Sequence, residues 1–299
     1  MDDVPSWPSS PLLALSVVVA VEEGGERSPA LGDAVPEPFA EGYSPEGGWR
    51  NWFVESMWEY GARSGIWRLL DVLDHNRVRA SFAWTSVGAA ANPAALDAVV
   101  GAGHEIMSGG RRAIPGPSIP PEQERENVLS GVEDLRATLA DLDPDASITG
   151  WFGRWPTRGT IAHVREAGLE FFSDSHSADA PFLAESPSGE IVVMPWTPDL
   201  DDNRFWCDPR MAGYRTASDF LDVMQRSAAE LLREATHSPR MMTVVVHPRI
   251  SGHPARIDAI DTFLGACAKD PRIWIESRGT IMRAWRARSV EQGGRTHAS

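Results

Sequence analysis

The sequence predicts an α/β protein: a parallel sheet or barrel with helices packed outside. Three observations carry this prediction. Short apolar runs alternate with segments of helical periodicity along most of the chain. The length, 299 residues, suits a single (β/α) barrel of roughly 250 residues. No internal repeat or low-complexity block interrupts the pattern. One domain is expected over residues 11–288, after an N-terminal extension over 1–10 and before a polar, flexible tail over 289–299.

The elements follow in order. Leu12–Val21, apolar apart from Ser16 and rich in β-branched residues, reads as a buried strand. Residues 28–56 are rich in Pro, Gly and Glu and read as a long loop, of the kind that serves a site or stays disordered. Ser64–His75 places Ile66, Leu69, Leu70 and Leu73 on one helical face. Arg79–Trp84 is a second strand, and Asn92-Pro93 opens a helix through Val100. Gly103–Met107 is a short strand and Glu122–Ala140 a helix with Val128, Val132, Leu135 and Leu139 apolar. Ser147–Trp151, Leu169–Ser173 and Ile191–Pro195 are strands, with Thr160–Ala167 helical between the first two. A helix over Ala217–Thr236, a strand over Met241–His247 and a helix over Arg256–Ala268 come next. Arg272–Glu276 and Thr280–Ala287 complete the alternation.

A formal charge of −14 argues against a nucleic-acid or anionic-membrane surface, which needs a basic footprint. The partner expected is a small-molecule substrate. Cys207 and Cys267 are isolated, without metal-type spacing, and fit a reducing cytoplasm. The apolar run Pro11–Val21 is too short to span a bilayer, and Asp2 and Asp3 stand where a secretion signal would be basic. A cytoplasmic location is the expectation.

In an α/β fold, chemistry gathers where strands end. The first strand ends in Glu22-Glu23-Gly24-Gly25. Neighbouring strand residues point to opposite faces, so one glutamate can enter a pocket while the other braces a loop; which does which stays open. Thr243–Arg249 places His247 at the end of an apolar run with Arg249 two residues on, a pair able to polarise a carbonyl or hold an anion. Gly150–Pro156 offers Arg154 as a substrate clamp. His104, Glu105 and His176 lack partners at metal-ligand spacing, and no P-loop, G-x-S-x-G elbow or dinucleotide fingerprint is present.

Together these segments resemble the polysaccharide deacetylase family, carbohydrate esterase family 4, and within it the cytoplasmic allantoinase-like branch that acts on cyclic ureides. The matching pieces are E-E-G-G-E, the block from Glu55 to Leu70, A-G-H-E-I, G-W-F-G-R, S-D-S around Asp174, the stretch Pro195 to Phe205, and M-M-T-V-V-V-H-P-R-I-S-G-H-P-A-R. They run in family order over about residues 12–287. The resemblance implies a distorted (β/α)7 barrel of the polysaccharide deacetylase type. It maps an acidic base and an acidic metal ligand onto Glu22 and Glu23, and the general acid onto His247. Substrate contacts are expected from Arg154, Trp155, Trp196, Arg204 and Arg249, and from Trp58 and Glu55 of the branch-specific block. Its relatives are commonly oligomeric, so a homo-oligomer is expected.

One departure bears on chemistry. Where the family continues G-H-E-I with Ser-His-Gly, this chain reads M-S-G-G-R-R and puts Gly109 at the histidine position. Catalytic zinc sites usually need three protein ligands, so no catalytic metal and no cofactor is expected. The Pro-rich stretch Ala113–Pro121 and the shortened loop carrying Trp155 also depart from the pattern, so a bulkier, more aromatic substrate than allantoin is expected, with Trp206 as a further contact. The leading expectation is a metal-independent enzyme hydrolysing a C–N bond of a cyclic amide, imide or ureide. The alternatives are a cyclase, lyase or isomerase using the same Glu/His pair, and an inactive ligand-binding homologue. A zinc-dependent sugar deacetylase ranks last.

Overall fold

The computed structural model describes residues 13–37, 50–207 and 216–291. The N-terminal extension, the middle of the long loop (38–49) and residues 292–299 of the tail lie outside the described residues. β1 (Leu13–Val21) is buried along its whole length, as a parallel strand covered on both faces must be. It pairs in parallel with β2 (Ser81–Trp84) on one side and β8 (Arg240–Val246) on the other. Parallel pairing continues from β2 through β3 (Glu105–Ser108), β4 (Ile148–Trp151) and β5 (Phe171–Phe172) to β7 (Ile191–Val193). β6 (Phe182–Ala184) joins β7 as an antiparallel hairpin, and β9 (Ile273–Ile275) pairs with the start of β1.

The alternation of β1 divides the core. Leu13, Leu15, Val17, Val19 and Val21 pack outward against helices. Ala14, Val18 and Ala20 face an inner cluster with Ala83, Met107, Phe152, Phe171, Val192 and Val245. Seven parallel strands therefore curl around one interior, as the expected barrel requires. The ring has a seam: among the described residues β7 and β8 share no ladder, and an isolated bridge from Asp201 to Val245 spans them instead.

Helix α11 (Arg278–Glu291) seals the end of the barrel opposite the strand C-termini with Ile281, Met282 and Trp285. Its first residue, Arg278, is fully buried and donates to Ser16 Oγ (3.2 Å), Thr243 Oγ1 (2.8 Å), Ser173 Oγ (3.1 Å) and the carbonyls of Met194 and Pro195. One side chain thus ties β1, β8 and the ends of β5 and β7 across the seam. The carboxylate of Glu105 accepts from Gly279 N, Ser81 Oγ and Thr149 Oγ1. It sits at the α11 N-terminus, where backbone N–H groups and the helix dipole favour negative charge.

The expected helices and strands are present with boundaries shifted by a few residues. The largest difference lies between residues 52 and 75. A helix beginning at Ser64 was expected, but α1 (Trp52–Tyr60), a π-turn over Gly61–Gly65 and α2 (Ile66–His75) form one continuous helical run. Gly61 and Gly65 within this run serve packing. A Cβ on Gly65 would fall 2.0 Å from Pro248 O, so glycine lets this helix touch the backbone after β8. The periodicity also passed over α3 (Ser86–Ala91), α7 (Asp202–Cys207), α9 (Pro248–Ser251) and β6, all too short to show a period. The remaining helices are α4 (Pro93–Gly101), α5 (Pro121–Leu142), α6 (Thr160–Glu166), α8 (Ala217–Glu234) and α10 (Pro254–Cys267). Among the described residues no helix is long and apolar enough to cross a membrane.

Replacing Arg278 with Met would leave the Met194 carbonyl and three hydroxyls without the arginine donor, and the Pro195 carbonyl with Thr243 Oγ1 alone, beside the half-buried Glu105 carboxyl. The expected loss is about 3–5 kcal/mol, read as a lower urea midpoint. A loss under about 1 kcal/mol would mean that the strands hold the ring closed without it.

Candidate active site

The C-terminal ends of β1, β2, β3 and β4 line one cleft, and the end of β8 brings His247 to 4.0 Å from Glu22. Glu22 follows the inward parity of Ala14, Val18 and Ala20, so its carboxylate enters the cleft, which is also lined by Thr85, Gly109, Ala113, Phe152 and Arg154. Glu23 has the opposite parity and lies almost fully buried, behind the cleft. Its Oε1 accepts the Arg249 backbone N–H at 3.0 Å. A Cβ on Gly61 would meet that oxygen at 2.1 Å, which is why the helix carries glycine there.

Arg249 binds the two acids together. Its Nη2 lies 2.7 Å from Glu22 Oε2 and its Nη1 lies 3.9 Å from Glu23 Oε1. The guanidinium rests 3.9 Å from the ring centroid of the buried Trp58, a cation–π seat that fixes it. Burial would push the Glu22 carboxyl up, but the charges of Arg249, Arg154 and His247 outweigh it and hold it at about 2. Glu23 receives less compensation, and burial pushes it up to about 7. Two adjacent carboxyls are driven apart in this way, the pattern that separates charged from neutral roles at one pH.

His247 caps β8 with its Nδ1 2.6 Å from Asp202 Oδ1. Asp202 is wholly buried, and its Oδ2 accepts His247 N (2.8 Å), Ser251 N (3.2 Å) and Ser251 Oγ (2.6 Å). The carboxylate so held fixes the imidazole tautomer and turns Nε2 toward Glu22 Oε2, 4.0 Å away. Burial alone would lower the imidazole pKa, but Asp202 prevails and raises it. Burial also pushes the neighbouring Asp201 up to about 6.

Glu22, Glu23, His247, Arg249 and Trp58 thus come together, and Arg154 lines the cleft with Glu22. Arg154 also donates to Ala113 O (3.3 Å) and pairs with the buried Glu37 at 2.5 Å. Four other expected contacts lie away from this cluster. Trp155 is 70% exposed, turned outward by a left-handed backbone at φ 48°. Arg204 is exposed on the outer side of α7. Glu55 is paired with Arg50 at 2.6 Å, apart from the cluster. Trp206 packs on Phe205 and Phe220 as part of the core wall. Trp196 stands one layer back, its ring 5.6 Å from that of Phe152. Asp202 and Ser251 were missed, although both lie in matching blocks. The usable signal was that a catalytic histidine needs a carboxylate behind it, and D-L-D-D offers two.

The family resemblance implies a divalent metal, and the residues present do not fit one. Gly109 contributes no donor atom. Glu23 is taken up by the Arg249 N–H, and the Arg249 guanidinium already sits as a fixed cation against both glutamates. Asp201, Asp202 and His247 lie close enough to bracket an ion. However, the N–H and O–H donors converging on Asp202 would face any cation placed there.

Replacing Asp202 with Asn should keep the shape of the dyad but favour the wrong tautomer. A fall in kcat of about 10² to 10⁴ is expected, with an intact circular-dichroism spectrum. An unchanged kcat would show that His247 needs no carboxylate.

The geometry has relatives. No family model matches the chain. A Schizosaccharomyces pombe protein named "Putative polysaccharide deacetylase" is 29% identical over 306 residues, covering 96% of this chain and 94% of that protein. A crystal structure of a "probable polysaccharide deacetylase" from Pseudomonas aeruginosa PAO1 is 31% identical with a TM-score of 0.84, covering 94% of this chain and 95% of its own. The crystal structure of PuuE allantoinase is also 31% identical, with a TM-score of 0.86, covering 94% of this chain and 92% of its own.

Proposed function

The chain belongs to the polysaccharide deacetylase family, and we propose that it is a metal-independent acid–base hydrolase that opens a C–N bond of a cyclic amide, imide or ureide. The observation that carries this reading is the opposed pair at the cleft. An ionised carboxylate, Glu22, faces the Nε2 of a histidine whose Nδ1 is held by Asp202, with 4.0 Å between them. The likeness to an allantoinase supports the ureide class over an acetylated sugar.

The chemistry then follows from the side chains. Glu22 takes a proton from a water molecule, and the oxygen attacks the ring carbonyl carbon. Negative charge grows on the carbonyl oxygen, and Arg154, lining the same cleft, is the cation placed to meet it. His247 Nε2–H gives its proton to the departing nitrogen as the C–N bond breaks. Ring plus water becomes an open-chain acid with a free amide or amine end. Arg249 supplies the positive charge that keeps Glu22 ionised, and Glu23 with Trp58 holds Arg249 in place.

The test is ring opening of cyclic ureides and imides by the purified protein, with ¹⁸O-water to record hydrolysis. Glu22→Gln is expected to reduce kcat/KM by about 10² to 10⁴, and a chelator to change nothing. Activity lost with EDTA and restored by zinc would sink the metal-independent reading. Turnover without ¹⁸O incorporation would replace hydrolysis by a lyase or isomerase reaction. The pH profile has a definite sign. Glu22 stays ionised down to about 2, so loss of the base is not expected on the weakly acidic side. Because the folded His247 pKa lies above its ordinary 6.5, kcat/KM should fall only as pH rises through that higher value.

A further inference from the structure

We infer that Glu37 sets the charge selectivity of the cleft: it neutralises Arg154, so the site admits an uncharged ring and turns away one that carries a carboxylate. This rests on the cyclic-ureide reading above and narrows its substrate class.

The cations around the reaction centre each have a carboxylate of their own. Among the described residues that line the cleft or reach Glu22, Arg249 pairs with Glu22 at 2.7 Å, His247 with Asp202 at 2.6 Å and Arg154 with Glu37 at 2.5 Å. Next to the cleft-lining Ala113, Arg112 is likewise held by Asp33, at 3.1 and 2.5 Å. No positive charge is left over for an anion from outside, which would instead meet the ionised Glu22. Like charges brought together cost affinity, and such repulsion is how a site rejects a wrong ligand.

The effect turns on Arg154, the one of these four cations among the cleft's lining residues. Its guanidinium gives one Nη2 N–H to Glu37 Oε1 and one Nη1 N–H to Ala113 O. Nε–H and the second N–H of each Nη remain to meet a substrate carbonyl. A neutral carbonyl can share a paired guanidinium in this way, whereas a carboxylate must compete with Glu37 for its charge.

The loop does not depend on this pair for its hold. The Glu37 backbone N–H donates to Arg27 O at 2.8 Å, and Asp33 accepts Ser28 N at 2.7 Å besides binding Arg112. The Glu37 side chain is only 5% exposed. A glutamine there could accept the same Arg154 N–H without the cost of burying a charge. What the carboxylate adds is the charge itself.

The probes are hydantoin-5-acetate and its primary amide, matched in size and different in charge at pH 7, with hydantoin as the neutral reference. Ligand NMR on the full chain reads binding from line broadening and ring opening from product signals in one sample. The amide is expected to bind at least about tenfold tighter than the acid. Glu37→Gln should shrink that ratio by about tenfold through tighter binding of the acid, and move hydantoin by less than about threefold. Asp33→Asn loosens the same loop but keeps Glu37 on Arg154, and should leave the ratio where it was. Equal affinities in the unaltered protein, a ratio unmoved by Glu37→Gln, an equal shift from Asp33→Asn, or no binding of the probes would each overturn the role of Glu37. The first of these needs no variant, so a Glu37→Gln protein that fails to fold does not shield the inference. Selection of the amide without ring opening would remove the hydrolase reading and leave the charge selectivity standing. Ring opening of amide and acid with equal affinities would do the reverse.

Discussion

One buried guanidinium, Arg278, connects strands that no ladder joins. Parallel strands curling into a ring must either close by hydrogen bonds or leave polar backbone exposed inside the protein. Among the described residues β7 and β8 share no ladder, and the carbonyls of Met194 and Pro195 beyond β7 would be left with one 3.4 Å bond from Thr243 Oγ1 to Pro195 between them. Arg278 satisfies them while also holding Ser16 and Thr243 on the far side of the seam. Burial lowers its own pKa to about 10, still far above neutrality, so the charge persists. The position of β8 relative to β7 depends on this tie, while the β1–β8 ladder holds His247 beside Glu22.

At the other end of the barrel a second buried arginine acts in the opposite sense. Arg278 serves backbone carbonyls and hydroxyls; Arg249 serves carboxylates. Two acids adjacent in sequence cannot both be charged and buried without a counter-ion. Arg249 supplies it unequally, closer to Glu22 than to Glu23, and the two carboxyls separate to about 2 and about 7. Trp58 and Gly61 belong to the same device. The first seats the guanidinium, and the second makes room for the Glu23 carboxylate and the Arg249 backbone to meet.

Much of this was legible in the linear string. The apolar run of β1, the acids at its end, and the histidine and arginine after β8 are local patterns, and burial in a parallel sheet makes them conspicuous. Asp202 was harder to see. It lies 45 residues before His247 and starts a six-residue helix, and neither position nor period marks it as the histidine's support. Trp155 misled in the other direction. An aromatic next to Arg154 suggests a pocket wall, but a left-handed residue in the turn sends the ring to solvent.

The sequence by itself determined the α/β class, the family resemblance, the strand ends that carry Glu22, Glu23 and His247, and the glycine at position 109. These follow from short-range periodicity and from motifs whose residues are neighbours in the chain. Only the tertiary structure decided which glutamate enters the cleft, since that depends on which face of β1 looks inward. It also decided that Arg249 rather than open solvent faces the acids, and that Asp202 stands behind His247. Those are long-range contacts, and their electrostatic consequences exist only once burial has removed the water that would otherwise screen them.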